Sequence, residues 1–151
     1  MDKWNSIEEA LDFAIEREQE AADFYFALVE KLPQKHMKDV LERFAKEELG
    51  HKARLTAIKN KKMVHAEPTQ VQDLKIGEYL TEMDADKITD YQSALIVAMK
   101  REKAAFKLYS DLAAMADTEG IRNVMLRLAE DEARHKLRFE VEYDDYILIE
   151  N

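Results

Sequence analysis

The sequence predicts an all-α protein, a four-helix bundle built from two helical hairpins joined by a long crossover. Three observations carry that expectation. Residues that make turns are scarce, with 3 Gly and 2 Pro among 151 residues. Apolar residues recur at spacings of four and three along four separate stretches, as one buried stripe on a helix requires. The stretches also form two similar pairs: Glu18 and Glu102, Tyr25 and Tyr109, Glu48 and Glu132, and His51 and His135 each lie 84 positions apart.

The first helix opens on Ser6-Ile7-Glu8-Glu9, with Ser6 at the N-cap and Glu9 closing a capping box. Its stripe is Ile7, Leu11, Ala14, Glu18, Ala21, Tyr25, Leu28 and Leu32, and Leu32-Pro33 ends it. Pro33 suits the first turn of a second helix, which makes the two helices antiparallel neighbours. That second stripe is Met37, Leu41, Phe44, Glu48, His51, Leu55 and Ile58. Gly50 lies inside it, where close packing is one reason to accept a residue that weakens helices. The pattern fades between positions 60 and 89: Pro68 marks a loop, and Asp73 to Leu80 has the composition of a short helix. This stretch is expected to cross over and set the third helix beside the second in the same direction. Thr89-Asp90-Tyr91-Gln92 reads as a second capping box, with Thr89 at the N-cap of the third helix, and Tyr91, Leu95, Ala98, Glu102, Ala105, Tyr109, Leu112 and Ala116 lie on its stripe. The chain breaks and restarts at Asp117 to Gly120. The fourth helix carries Ile121, Met125, Leu128, Glu132, His135 and Phe139, and is expected to fray at Tyr143 to Tyr146. The apolar tail Ile147-Leu148-Ile149 is expected to dock on the bundle or on another subunit.

The bulk numbers exclude several functions. A net charge of −9 argues against a non-specific nucleic-acid binder. The absence of cysteine removes disulfides, thiolate metal sites and a cysteine nucleophile. No apolar run reaches the roughly 20 residues of a membrane helix. The start, Met1 to Ser6, does not resemble a signal peptide, and the expectation is one cytoplasmic domain over residues 1–151.

Glu48-Leu49-Gly50-His51 and Glu132-Ala133-Arg134-His135 organise the rest. On a helix, residues three apart share a face, so each stretch aims one carboxylate and one imidazole at the same point. Glu18 and Glu102 each precede such a stretch by 30 positions. Aligned hairpins bring the four acids to one layer of the bundle, with the imidazoles about a turn away. Four buried carboxylates without compensation would cost many kcal/mol or take up protons. Two divalent cations would balance four negative charges, with the imidazoles as neutral donors. Oxygen and imidazole without sulfur suit iron, manganese or zinc.

A Glu from each of two helices plus a Glu-x-x-His from each of the other two is an established donor set for di-iron and di-manganese sites in four-helix bundles. In Glu18-x6-Tyr25, Glu48-x-x-His51, Glu102-x6-Tyr109 and Glu132-x-x-His135 the chain resembles the rubrerythrin branch of the ferritin-like superfamily. The resemblance implies two iron ions bridged by Glu48 and Glu132, with Glu18 and Glu102 as terminal ligands and one metal each for His51 and His135. It implies that Tyr25 and Tyr109 hydrogen-bond the terminal carboxylates, against the plain alternative of core residues. Glu47 and Asp131 would orient the imidazoles, unless they are simply solvated. Two departures stand out. Typical rubrerythrins have another carboxylate where this chain has Ala105, and they carry a cysteine-rich rubredoxin-like tail. Without that tail, electrons would come from another molecule.

The function implied is reduction of hydrogen peroxide, or oxidation of ferrous iron by oxygen or peroxide, with an external donor such as a rubredoxin. The alternatives are a metal carrier or sensor with little turnover, and a metal-stabilised interaction module. A homodimer or higher homo-oligomer is expected, with no nucleic acid or membrane as partner. His36 and His65 lie off the repeat and are expected on the surface. Met37, Met99, Met115 and Met125 are expected to fill the core, and Glu8, Glu9, Glu16 and Glu20 to form a solvated face. Trp4 is expected to staple the start of the first helix or to meet a partner subunit.

Overall fold

A computed structural model describes residues 3–81 and 84–150, with side chains through 148. Met1, Asp2 and the side chain of Ile149 therefore lie outside the described residues. The chain forms α1 (Ile7–Lys31), α2 (Lys38–Asn60), a short α3 (Pro68–Gln72), α4 (Tyr91–Met115) and α5 (Glu119–Glu150), with no strand among the described residues. Four long helices carry the four stripes, and every stripe residue is buried except Leu32, at the end of its helix.

Two apolar clusters fix the helix directions. One holds Ile7 and Leu11 with Leu55 and Ile58, and also Leu108, Leu112, Ile121 and Met125. The other holds Leu28 and Val29 with Met37 and Leu41, and also Tyr91, Leu95 and Phe139. The start of α1 therefore meets the end of α2, and α4 starts at the same end of the bundle as α2. Within each hairpin the helices are antiparallel, and α2 and α4 run in the same direction, as a long crossover requires. The six polar stripe residues fall between the clusters. The core is two oily halves with a polar slab between them.

The crossover runs the length of α1. At one end Tyr79 stacks on Trp4, with centroids 5.8 Å apart and planes 6° from parallel. At the other, Lys31 Nζ donates to the carbonyl of Ala85 at 2.7 Å. Trp4 is fully buried and also packs on Phe13, so it staples the start of α1. Ser6 caps α1, accepting from the Glu9 N–H at 3.2 Å, while the Glu9 carboxylate accepts from Asn5 rather than from Ser6.

Several local expectations are corrected. Asp73 to Leu80 is not one helix. Helix forms earlier, at Pro68–Gln72, and a separate 3-10 turn follows at Ile76–Tyr79. Pro68 favours the first position of a helix because its missing N–H is not needed there, and Glu67 and Gln70 cap the turn reciprocally. Pro33 stays in the connection ahead of a 3-10 turn at Lys35–Met37. Asp90, not Thr89, caps α4, accepting from the Ser93 N–H at 2.7 Å. The last helix does not fray at Tyr143. It continues to Glu150, with Tyr146 packed edge-on against Tyr91 at 5.1 Å. Leu148 is 76% exposed, while Ile147 beside it is half-buried. His36 is exposed as expected, yet its Nε2 contacts buried Glu142, which also accepts from the Tyr91 hydroxyl at 2.7 Å.

Gly50 does not serve close packing. It is exposed, and a Cβ built there would meet nothing within 4 Å. Its only effect on stability is then the backbone freedom it gives the unfolded chain. Gly50→Ala should raise stability by about 0.5–1 kcal/mol, read as a higher urea midpoint with an unchanged slope. A lower midpoint would show that the position has a use for its missing side chain.

Candidate metal centre

The polar slab is assembled by the helix period. Glu18, Glu48, Glu102 and Glu132 each occupy a core position of their stripes, and all four are fully buried. His51 and His135 lie one turn after Glu48 and Glu132 on the same faces and are buried beside them. Ligand atoms of Glu18, Glu48, His51 and Glu132 all lie within 4.8 Å of one another, and so do those of Glu48, Glu102, Glu132 and His135. Glu48 and Glu132 belong to both groups.

The two imidazoles face matching carboxylates, His51 at hydrogen-bond distance and His135 somewhat farther. His51 Nδ1 faces inward, 3.0 Å from Glu18, 3.2 Å from Glu48 and 3.6 Å from Glu132. Its Nε2 faces outward to Asp131 at 3.0 Å. His135 Nδ1 lies 3.5 Å from Glu102, 3.6 Å from Glu132 and 3.8 Å from Glu48, with Nε2 3.5 Å from Glu47. Glu47 and Asp131 are thus partly buried residues facing the outer nitrogens across the bundle. Arg134 spans them, 2.7 Å from Glu47 and 3.3 Å from Asp131. The tyrosines cross over too: Tyr109 donates to Glu18 at 2.7 Å, and Tyr25 donates to Glu102. Phe44 stacks on the His135 ring at 3.9 Å.

One residue in the slab was not anticipated. Arg101 is 4% exposed, and its guanidinium sits among the four acids. It donates to Glu18 and Glu132 at 2.6 Å each and to Glu102 at 3.1 Å, and it pairs with Glu48. The signal was present in the sequence, since Arg17-Glu18 and Arg101-Glu102 obey the same offset of 84. An arginine beside a core position usually snorkels to solvent, so the side chain's direction was not legible.

The electrostatics show how tightly charge is packed here. Burial pushes the Glu48 carboxyl well above its ordinary range, and Glu132, Glu18 and Glu102 add to this against the pull of Arg101. Burial likewise raises Glu132, against Arg101 and with Glu102 and Glu18. Burial works against protonation of His51, but its bonds to Glu18 and Asp131 and the nearby carboxylates outweigh that and lift it to about 9. His135 is raised on the same balance, its burial outweighed by Glu102, Glu132 and Glu47. Glu102 goes the other way: burial is outweighed by Arg101, His135 and the Tyr25 hydroxyl, and the carboxyl is lowered.

These residues fit divalent metal ions. Oε1 of Glu48, Oε2 of Glu102, Oε1 of Glu132 and both nitrogens of His135 are buried without a hydrogen-bond partner, while Oε2 of Glu48 meets only the Arg101 guanidinium. Buried polar atoms are rarely left so, and hard oxygen and imidazole donors converging on shared carboxylates suit such cations. A model of the Rubrerythrin family matches residues 9–143.

The chain belongs to the Rubrerythrin family.

A hypothetical protein from Pyrococcus furiosus has a similar structure, with a TM-score of 0.73 and 26% identity, covering 92% of this chain and 89% of that one. No curated protein matches the chain. The rubrerythrin family implies a di-iron site, and the carboxylate and histidine groups that can bind metal here lie in that family's bundle. No helix among the described residues is long and apolar enough to cross a membrane. Ala105 is buried in the apolar cluster next to the slab. It lines a cavity of about 20 Å³ together with Arg17, Arg101 and Tyr109.

Proposed function

We propose that this rubrerythrin holds two iron ions at the slab and reduces hydrogen peroxide there, with electrons from an external donor such as a rubredoxin. The observation that carries the reading is the pair of ligand groups sharing Glu48 and Glu132, each with one imidazole Nδ1 turned inward. Glu48 and Glu132 would bridge, Glu18 with His51 would hold one metal, and Glu102 with His135 the other. Manganese or zinc would suit the same donors. Bound iron would polarise an O–O bond and exchange electrons with it. The chain's own contribution is positioning. Tyr25 and Tyr109 fix the terminal carboxylates, Asp131 holds the His51 imidazole by its outer nitrogen, Glu47 faces the outer nitrogen of His135, and the two apolar clusters keep bulk water from the slab. Solvation and orientation of this kind set both metal affinity and the potential of the site.

A carrier or sensor with little turnover is the second reading. It is favoured by Arg101 among the acids and by Ala105 in place of a further carboxylate. One experiment separates them. The protein loaded with ferrous iron under anaerobic conditions is mixed with peroxide, and separately with oxygen, and oxidation is followed by absorbance. Faster oxidation by peroxide, repeated over many cycles with a reductant, is expected. Faster oxidation by oxygen would favour a ferroxidase, and a single slow oxidation with no cycling would favour the carrier.

A further inference from the structure

Arg17 and Arg101 hold the same place in the two halves of the chain, yet they meet different partners. Arg17 turns outward. Its guanidinium donates to Glu20 at 2.7 Å, lies 3.7 Å from Glu16 and sits over the Phe13 ring at 4.8 Å. Arg101 turns inward to four carboxylates. The neighbours explain the difference. At the offset of 84, the positions of Phe13, Glu16 and Glu20 hold Val97, Lys100 and Ala104. Turned outward, Arg101 would lose both carboxylates and the ring, and would meet a lysine.

We propose that Arg101 is a built-in competitor for the metal ions, and that loading the site requires it to swing outward along the path that Arg17 already takes. This rests on the metal-binding reading above. The guanidinium holds oxygens of Glu18, Glu48, Glu102 and Glu132, all four of the acids that the metals would need. An oxygen drawn to a guanidinium nitrogen at 2.6 Å is not free to bond a cation at about 2.0–2.2 Å on the same side. The charge count agrees. Two divalent cations already balance four carboxylates, so a retained guanidinium would leave a buried positive charge without a partner. A small cavity beside Ala105 is lined by both arginines and by Glu20. Arg101 thus gives the acids a cation of the chain's own, and raises the metal concentration at which the site fills.

The test is a titration of chelator-stripped protein with Co(II) alone under anaerobic conditions. It compares the natural chain, Arg101→Gln and Ala104→Glu. The last variant keeps Arg101 but gives it the outward partner that Glu20 gives Arg17. Arg101→Gln should bind Co(II) at least about tenfold more tightly, and Ala104→Glu several-fold more tightly, because the competing state is removed or made less favourable. In chelator, Arg101→Gln should melt at a lower temperature than the natural chain and recover when Co(II) is added. If Arg101→Gln does not fold in chelator, Ala104→Glu decides. Affinities no higher than that of the natural chain in the folded variants would overturn the competition while leaving the metal site standing. Co(II) uptake by none of the three, or equal uptake by a Glu48→Ala control, would remove the metal site itself.

Discussion

Replacing Glu48 with Gln is expected to abolish metal binding at both positions while leaving the metal-free protein at least as stable. Glu48 belongs to both ligand groups, so its loss cannot be confined to one metal. Losing even an outer hydrogen-bond partner of a ligand costs about 10- to 100-fold in affinity, so losing a shared ligand should cost more than about a hundredfold. Glu18→Ala and His51→Ala should instead reduce uptake from two ions to one, because each belongs to a single group. Stability moves the other way. Burial and three neighbouring carboxylates hold the Glu48 carboxyl well above its ordinary range, so its charged form is already disfavoured. Gln has nearly the shape of the protonated acid and stays neutral without taking up a proton. Calorimetric titration gives the stoichiometry, and melting in chelator gives the stability. Unaltered binding of two ions in Glu48→Gln would mean that the shared geometry is not used.

Phe44→Ala is expected to have the largest effect on stability. The ring is buried, stacked on His135 with planes 21° apart, and edge-on to Phe139 at 5.5 Å. Truncating a buried Phe costs about 3–5 kcal/mol, from lost burial and from the cavity left behind. For a chain of this size that lowers the melting midpoint by roughly 8–15 °C. The loss should be felt at the site as well, because the Phe44 face limits where the His135 ring can lie. Phe44→Leu keeps most of the volume and should cost less than about 1.5 kcal/mol, which separates packing from an aromatic requirement. A midpoint for Phe44→Ala within a degree or two of the natural chain would show that this half of the core does not depend on the ring.

The bundle was legible because one signal repeated over long stretches. Four stripes at helical spacing, with acids at one level of each, leave few ways to bury the apolar residues. The fixed offset between Glu18 and Glu102 and between His51 and His135 identified which polar residues would meet. The crossover was less legible for the same reason. With short pieces such as Pro68–Gln72 and Ile76–Tyr79, caps and turns decide the structure rather than a periodic face. The end of α5 was misjudged because Asp144 and Asp145 look like a helix stop, whereas packing of Tyr146 on Tyr91 carries the helix on. Arg101 was missed because its partners are distant in sequence. Glu18, Glu48 and Glu132 are all on other helices, and only the assembled slab shows that facing inward gives this arginine more partners than facing water.

On the proposed function, six side chains meeting between two apolar half-cores hold a pair of metal ions. Anomalous diffraction from crystals grown with Co(II) or Mn(II) tests it most directly, since it counts the ions and locates them. Two peaks about 3.5–4 Å apart are expected, flanked by Glu48 and Glu132, one beside His51 and the other beside His135. No peak in the slab, or ions bound only at surface acids with Arg101 still held among the four carboxylates, would contradict it.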